Sequence, residues 1–262
     1  MRRTVHVHRL GTIGYGEAHT LQKRLQEARA RKLVPDTLLL LEHPPVITLG
    51  RGAKEQNLRF PRSSLVARGI EVHETGRGGD VTYHGPGQLV GYPILDLSPD
   101  RQDVRRYVKD LEESMIRLVA RWGLTATRIE GMNGTWLTDG DLGDRKIGAI
   151  GVRLSRWVTM HGFAINVSTL LSHFSLIVPC GIVDKGVTSL ELELGRVIPI
   201  DEVIAAYLPI FGDLFDGDLV EVHGDPLAAL SPDALAEIDD VLAVAAKNEA
   251  ERAAERAAEL RT

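Results

Sequence analysis

The stretch KIGAIGVRLSRWVTMHGFAINV, residues 146–167, holds two apolar, β-branched runs at 147–154 and 157–167 with barely room for a turn between them. Strands this close pair antiparallel, because a parallel partner needs a crossover of a dozen or more residues. Upstream, residues 125–130 and 135–137 read as further strands. Nearer the start, residues 4–8 alternate as a strand, and Ala18, Leu21, Leu25 and Ala28 then recur at helical spacing. Residues 37–41 and 46–49 lie on either side of His43-Pro44-Pro45 and predict paired or neighbouring strands around a proline break. Residues 81–84 and 89–97 predict strands on both sides of a tight turn at Gly85-Pro86-Gly87. From Asp103, the positions Val104, Val108, Leu111, Met115, Leu118 and Trp122 follow the 3.6-residue period until Gly123 ends it. Helical pattern returns at 201–214, with a kink or break expected at Pro209, and again after the cap signal Ser231-Pro232. Strands with helices interposed, but without steady alternation, predict an α/β chain of the α+β type: a mixed, largely antiparallel sheet flanked by helices.

The 262 residues are 44% apolar and 26% charged, which describes an ordinary globular chain able to bury a core without covalent help. The single Cys180 cannot form an intramolecular bridge, and His6, His8 and Arg9 interrupt the start before a signal-peptide core can form, so secretion is not expected. The apolar runs fall far short of the roughly 18–20 residues of a membrane helix. The net charge of -5 conceals an asymmetry: residues 1–200 carry a net +6, and residues 201–246 carry eleven acidic residues and no Lys or Arg. An acidic partner steered by Arg145, Arg153, Arg156 and Lys185 is one consequence to test. The end, ERAAERAAELRT, is low-complexity and strongly helix-forming, and is expected to be frayed or solvent-facing.

Chemistry concentrates in three places. In Arg77-Gly78-Gly79-Asp80-Val81-Thr82-Tyr83-His84-Gly85-Pro86-Gly87-Gln88, five Gly or Pro residues bring backbone close to a neighbour or ligand. A dinucleotide site is excluded, because the glycines open a strand instead of a helix and no phosphate-loop pattern follows. The second place starts at Lys146, where strict alternation sets Lys146, Gly148 and Ile150 on one face and Ile147, Ala149 and Gly151 on the other. A lysine there ordinarily points into water. The third is Pro179-Cys180-Gly181, where the thiol is either a buried hydrophobe or an accessible nucleophile. As a nucleophile it needs a base or cation to lower its pKa from about 8.5, and His84, His161 and Lys146 are the candidate helpers.

Taken together, RGGDVTYHGPGQLVGYPILDL (77–97), KIGAIGVR (146–153) followed by HGFAINV (161–167), and PCG with VTSL (179–190) resemble, in order and spacing, the lipoate protein ligase B family of octanoyltransferases. The likeness covers roughly residues 4–223. It implies the fold shared by biotin and lipoate protein ligases and an acyltransferase that moves an octanoyl group from acyl carrier protein to a specific lysine of a lipoyl domain. By the same resemblance, Cys180 is the nucleophile that becomes the acyl-thioester and Lys146 its acid/base partner. Arg77, Gly78, Gly79, Asp80, Val81, Thr82, Tyr83, His84, Ala149, Ile150, Gly151, Gly162, Phe163 and Ala164 are implied to line the substrate site, with no metal and no ATP or other cofactor.

The implied partners are acyl carrier protein and the lipoyl domains of 2-oxoacid dehydrogenase complexes and of the glycine cleavage H protein. Neither nucleic acid nor membrane is implied, and the expected location is cytoplasmic. The domain reading is a catalytic domain over 1–223, an acidic extension over 224–246 and a helical or frayed tail over 247–262. An ATP-dependent lipoate or biotin ligase, a Cys-His thioester hydrolase and a non-catalytic carrier-binding module are the competing readings.

Overall fold

Residues 2–138, 143–178 and 185–259 are described by the computed structural model. In chain order the elements are β1 (Arg3–Thr12), α1 (Tyr15–Ala30), β2 (Asp36–Glu42), β3 (Val46–Leu49), α2 (Arg62–Val66), β4 (Glu71–Glu74), β5 (Val81–His84), β6 (Gln88–Ile94) and α3 (Val104–Ala120). They continue with β7 (Thr127–Ile129), β8 (Met132–Leu137), β9 (Arg145–Ser155), β10 (Val158–Asn166), β11 (Gly186–Val187), α4 (Leu190–Leu194), α5 (Ile200–Leu214), β12 (Gly217–Glu221) and α6 (Pro232–Glu259).

The hairpin anticipated within residues 146–167 lies inside the main sheet, whose order is β12-β1-β2-β6-β10-β9-β8-β7 with β11 added to β9. The run β2-β6-β10-β9-β8-β7 is antiparallel throughout, while β12/β1, β1/β2 and β11/β9 are parallel, so the sheet is mixed as expected. The hairpin turns on Arg156 and Trp157, both at positive φ, a backbone that suits the right-handed twist of paired strands. Arg156 also ion-pairs with Glu27 of α1, which anchors this turn.

Two expectations are corrected. β2 and β3 are neither paired nor neighbours, and β5 and β6 also lie in different sheets: β3 and β5 belong to a second sheet of order β4-β3-β5. Pro44-Pro45 and Gly85-Pro86-Gly87 are therefore the places where the chain leaves the main sheet and returns to it. Pro45 cannot donate to a ladder, and Gly87 takes φ +78°. The second correction concerns Pro209. Helix α5 runs unbroken from Ile200 to Leu214, because Tyr207 and Phe211 on either side of Pro209 are fully buried and tertiary packing outweighs the local penalty.

One face of the main sheet packs on α3 and α5 through Leu111, Met115, Phe163, Tyr207 and Phe211. Asp103 caps α3, its side chain accepting hydrogen bonds from the Arg105 and Arg106 amides. The opposite face packs on α1, and α6 lies on α1 with Ile238 and Leu227 buried beside Ala18, Leu25 and Ala28. Ser231 accepts a hydrogen bond from the Ala234 amide at the start of α6, and Arg24 pairs with Asp239. Among the described residues no helix is long and apolar enough to cross a membrane.

Truncation after Ala246 removes residues whose described side chains are exposed, so the melting midpoint should stay within about 2 °C of the full chain. Ile238→Ala should instead cost roughly 2–4 kcal/mol and lower the midpoint by roughly 5–10 °C. Scanning calorimetry of both variants distinguishes them, and an unchanged midpoint for Ile238→Ala would mean that α6 does not dock on α1.

Candidate active site

The second sheet carries the Gly-rich stretch onto the main sheet. The Gly52 amide donates to the Gly79 carbonyl at 2.9 Å and the Arg51 amide to the Arg77 carbonyl at 3.0 Å, while the Gly78 amide donates to the Val152 carbonyl of β9 at 2.9 Å. Gly79 has φ +85°, which a side chain rarely tolerates. At Gly151 a Cβ would lie 2.9 Å from Arg77 Cδ and 3.2 Å from the Gly78 carbonyl oxygen, so the loop sits on bare backbone. Arg77 is buried, donating to the Thr48 carbonyl and hydroxyl at 2.7 and 2.9 Å and to the Gly78 carbonyl at 3.1 Å.

A cavity of about 480 Å³ opens between this loop, β9 and β10. Residues 77–82, His84, residues 149–151 and residues 162–164 all line it, together with Lys146. Tyr83 does not. Its ring packs edge-on against His173 and Phe174, and its hydroxyl lies 2.8 Å from His173 Nδ1, away from that cavity. Ala149, expected opposite Lys146, lines the same cavity, and Ile147 and Ile150 both pack in the α3–α5 core. Strict alternation is lost beside the shift in β8/β9 register between Thr135 and Trp136.

Lys146 is partly buried. Its Nζ donates to the Asn133 carbonyl at 3.1 Å and lies 4.6 Å from the centroid of the Trp136 ring. Burial lowers its pKa from 10.5 to about 8, against the opposing influence of Glu112. Glu112 is itself held by Arg128 and by the Gly134 amide. Lys146 is therefore not the fully solvated side chain that its place at a strand start suggests. A second cavity, about 370 Å³, meets the first along Val81, Thr82, Lys146 and Ala149.

The far side of the first cavity is lined by Tyr15, Tyr92 and His161, none of which the sequence pattern marked as substrate-lining. His43 donates through Nδ1 to the Ile13 carbonyl at 2.8 Å, so its Nε2 accepts from the Tyr92 hydroxyl at 2.7 Å. His84 Nδ1 lies 2.6 Å from Gln88 Oε1, while Gln88 Nε2 donates to Asn166 Oδ1 at 2.9 Å. Burial pushes His84 down to about 3, His161 to about 2 and His19 to about 4. All three are neutral at pH 7. His161 holds φ +60° on β10, and its amide donates to Gln22 Oε1 of α1 at 2.8 Å.

Cys180 lies outside the described residues. The chain preceding 179–184 is fixed by a bond from the Val178 amide to the Asn57 carbonyl, and the chain following it by the Thr188 amide donating to the Lys146 carbonyl. Of the four cations expected to steer a partner, three are engaged by carboxylates: Arg145 by Glu193, Arg156 by Glu27 and Lys185 by Asp144. Their net field is correspondingly reduced. No group of three or more His, Cys, Asp or Glu side chains among the described residues is arranged to hold a metal ion.

Residues 14–212 match the lipoyl protein ligase A/B catalytic domain. A protein of Myxococcus xanthus named octanoyltransferase is 53% identical over 83% of this chain, an alignment spanning 61% of that relative's length. Octanoyltransferases of Acidobacterium capsulatum and Chloroflexus aggregans are 47% and 50% identical over 85% and 82% of this chain, and 95% and 96% of their own lengths are covered. The chain belongs to the lipoate protein ligase B family. Among solved structures, a bipartite lipoate protein ligase of Thermoplasma acidophilum superposes with a TM-score of 0.68 at 19% identity, over 90% of this chain and 92% of that one. A lipoate-protein ligase A bound with ATP gives 0.64 at 16%, over 91% and 95%. These establish the shared fold.

The buried histidines make stability fall in acid. Above pH 6.5 they are neutral folded or unfolded and contribute nothing; below it the unfolded chain takes up protons that the folded chain refuses. Each such histidine lowers the unfolding free energy by up to about 1.4 kcal/mol per pH unit between its folded pKa and 6.5. Urea unfolding between pH 7 and 4.5 should show this, with a shallower decline in His161→Asn, a residue type that accepts positive φ. An equal slope in the variant would contradict the burial of a neutral His161.

Proposed function

We propose that the chain takes an octanoyl group from the phosphopantetheine thioester of acyl carrier protein, holds it on Cys180 as a thioester, and delivers it to a lysine of a lipoyl domain. Octanoyl transfer is the activity named for relatives about half identical over most of the chain, and the chain is an acyltransferase of protein lipoylation. The observation that carries the mechanistic reading is Lys146, whose amine is lowered to about 8 at the meeting line of two cavities.

In the first half-reaction Lys146 accepts the Cys180 thiol proton. The thiolate attacks the carbonyl carbon, the bond to the pantetheine sulfur breaks, and the departing thiolate takes the proton back. In the second, the acceptor amine attacks the Cys180 thioester, Lys146 takes the proton that the nitrogen loses, and the cysteine sulfur leaves and is reprotonated. The first exchange is nearly isoenergetic and the second turns a thioester into a more stable amide. No nucleotide is needed. The acyl chain lies along the cavity lined by residues 149–151 and 162–164, with Gly162 and Ala164 presenting little or no side chain. Acceptors are the lipoyl domains of 2-oxoacid dehydrogenase complexes and of the glycine cleavage H protein, and the reaction is placed in the cytoplasm.

Octanoyl carrier protein should add one octanoyl mass to the wild type without ATP, and none to Cys180→Ala. In Lys146→Arg, which keeps a positive charge but cannot act as a base near neutral pH, discharge to the lipoyl domain should slow by about 10²- to 10⁴-fold, more than acylation does. Rapid-quench measurement of both steps decides it. Transfer by Cys180→Ala would end the covalent mechanism, and an absolute requirement for ATP would point to a ligase.

A further inference from the structure

A thioester presents two arms from one carbonyl carbon, and the site offers two cavities that meet at Lys146. With the acyl chain in the first cavity, the thiol arm must leave through the second. That second cavity has apolar walls at Leu171, Phe174 and Ile177, a hydroxyl at Ser175, and the cations Arg59 and Lys185. Lys185 is engaged by Asp144. Arg59 is exposed and, among the described residues, makes neither an ion pair nor a side-chain hydrogen bond. Its backbone is nonetheless fixed: its amide donates to the Leu176 carbonyl at 3.0 Å, and Leu58 bridges Ile177. The first cavity offers no comparable cation, since Arg77 is buried and directs its N–H groups to Thr48 and Gly78.

We infer that the second cavity is the binding site of the donor's phosphopantetheine arm, with Arg59 meeting the phosphate. This rests on the transferase reading above. An arm of alternating amide and alkyl units suits an apolar channel with an occasional hydroxyl, and a guanidinium in its lining suits a phosphate oxygen pair. The alternative occupant, the acceptor lysine, approaches as a cation and is disfavoured by the same arginine.

Calorimetric titration with 4′-phosphopantetheine and with pantetheine tests the site without any turnover. In the wild type the phosphate should tighten binding by about five- to tenfold at low salt, with the gain shrinking as salt rises. Arg59→Ala should bring the ratio close to one, and Arg59→Lys should retain part of it; an exposed side chain makes misfolding of either variant unexpected. Equal binding of the two compounds by the wild type, or a phosphate preference that survives Arg59→Ala, would overturn the assignment. Failure of octanoyl carrier protein to acylate the wild type would count against the transferase reading instead, and the binding ratio would still decide the site.

Discussion

Everything at this site depends on holding an ammonium-bearing side chain where water is scarce. Lowering the Lys146 pKa from 10.5 to about 8 means that the folded chain disfavours the charged form by an amount of order 2–3 kcal/mol, allowing for its remaining exposure. The fold limits that cost with a single carbonyl acceptor at Asn133 and the face of Trp136. Glu112 supplies an opposing negative charge but is committed to Arg128 and a backbone amide and makes no ion pair with the lysine that would keep it protonated. A neutral amine is accessible as a result.

The two-sheet architecture creates this environment. By diverting the chain at Pro44-Pro45 and recovering it at Gly85-Pro86-Gly87, the fold lays residues 77–80 across the exposed backbone of β9. The loop and the β9–β10 hairpin then enclose the first cavity. On the other side β11 joins β9 beside Arg145 and Lys146, so the chain that follows Cys180 in sequence is tied to the strand bearing the lysine. The amide chain His84–Gln88–Asn166, continued by Asn166 Nδ2 donating to the Thr188 carbonyl, binds the two sides together.

The β9–β10 hairpin, helix α3 and the start of α6 were legible because their causes are local: short spacing, a 3.6-residue period ended by Gly123, a Ser-Pro cap signal. The division into two sheets was not, since a Pro or Gly break marks an interruption without saying where the chain goes next. Most of the cavity lining was legible through motif resemblance. Tyr83 lies outside the first cavity, its ring packed against His173 and Phe174. The state of Lys146 was legible only through the resemblance: as a residue at a strand start it reads as solvated, and it is Trp136, Asn133 and α3, assembled from elsewhere, that remove its water. Tyr15 and Tyr92 reach the cavity from α1 and β6 and carry no signal of it in their own neighbourhoods.

The central claim is that Lys146 loses its proton near neutral pH. Protein labelled with ¹³C at lysine Cε, titrated by NMR and compared with Lys146→Arg to assign the signal, measures this directly. The account requires one lysine resonance with a midpoint near 8 that vanishes in the variant. A Lys146 resonance titrating near the ordinary lysine value of 10.5 would contradict it.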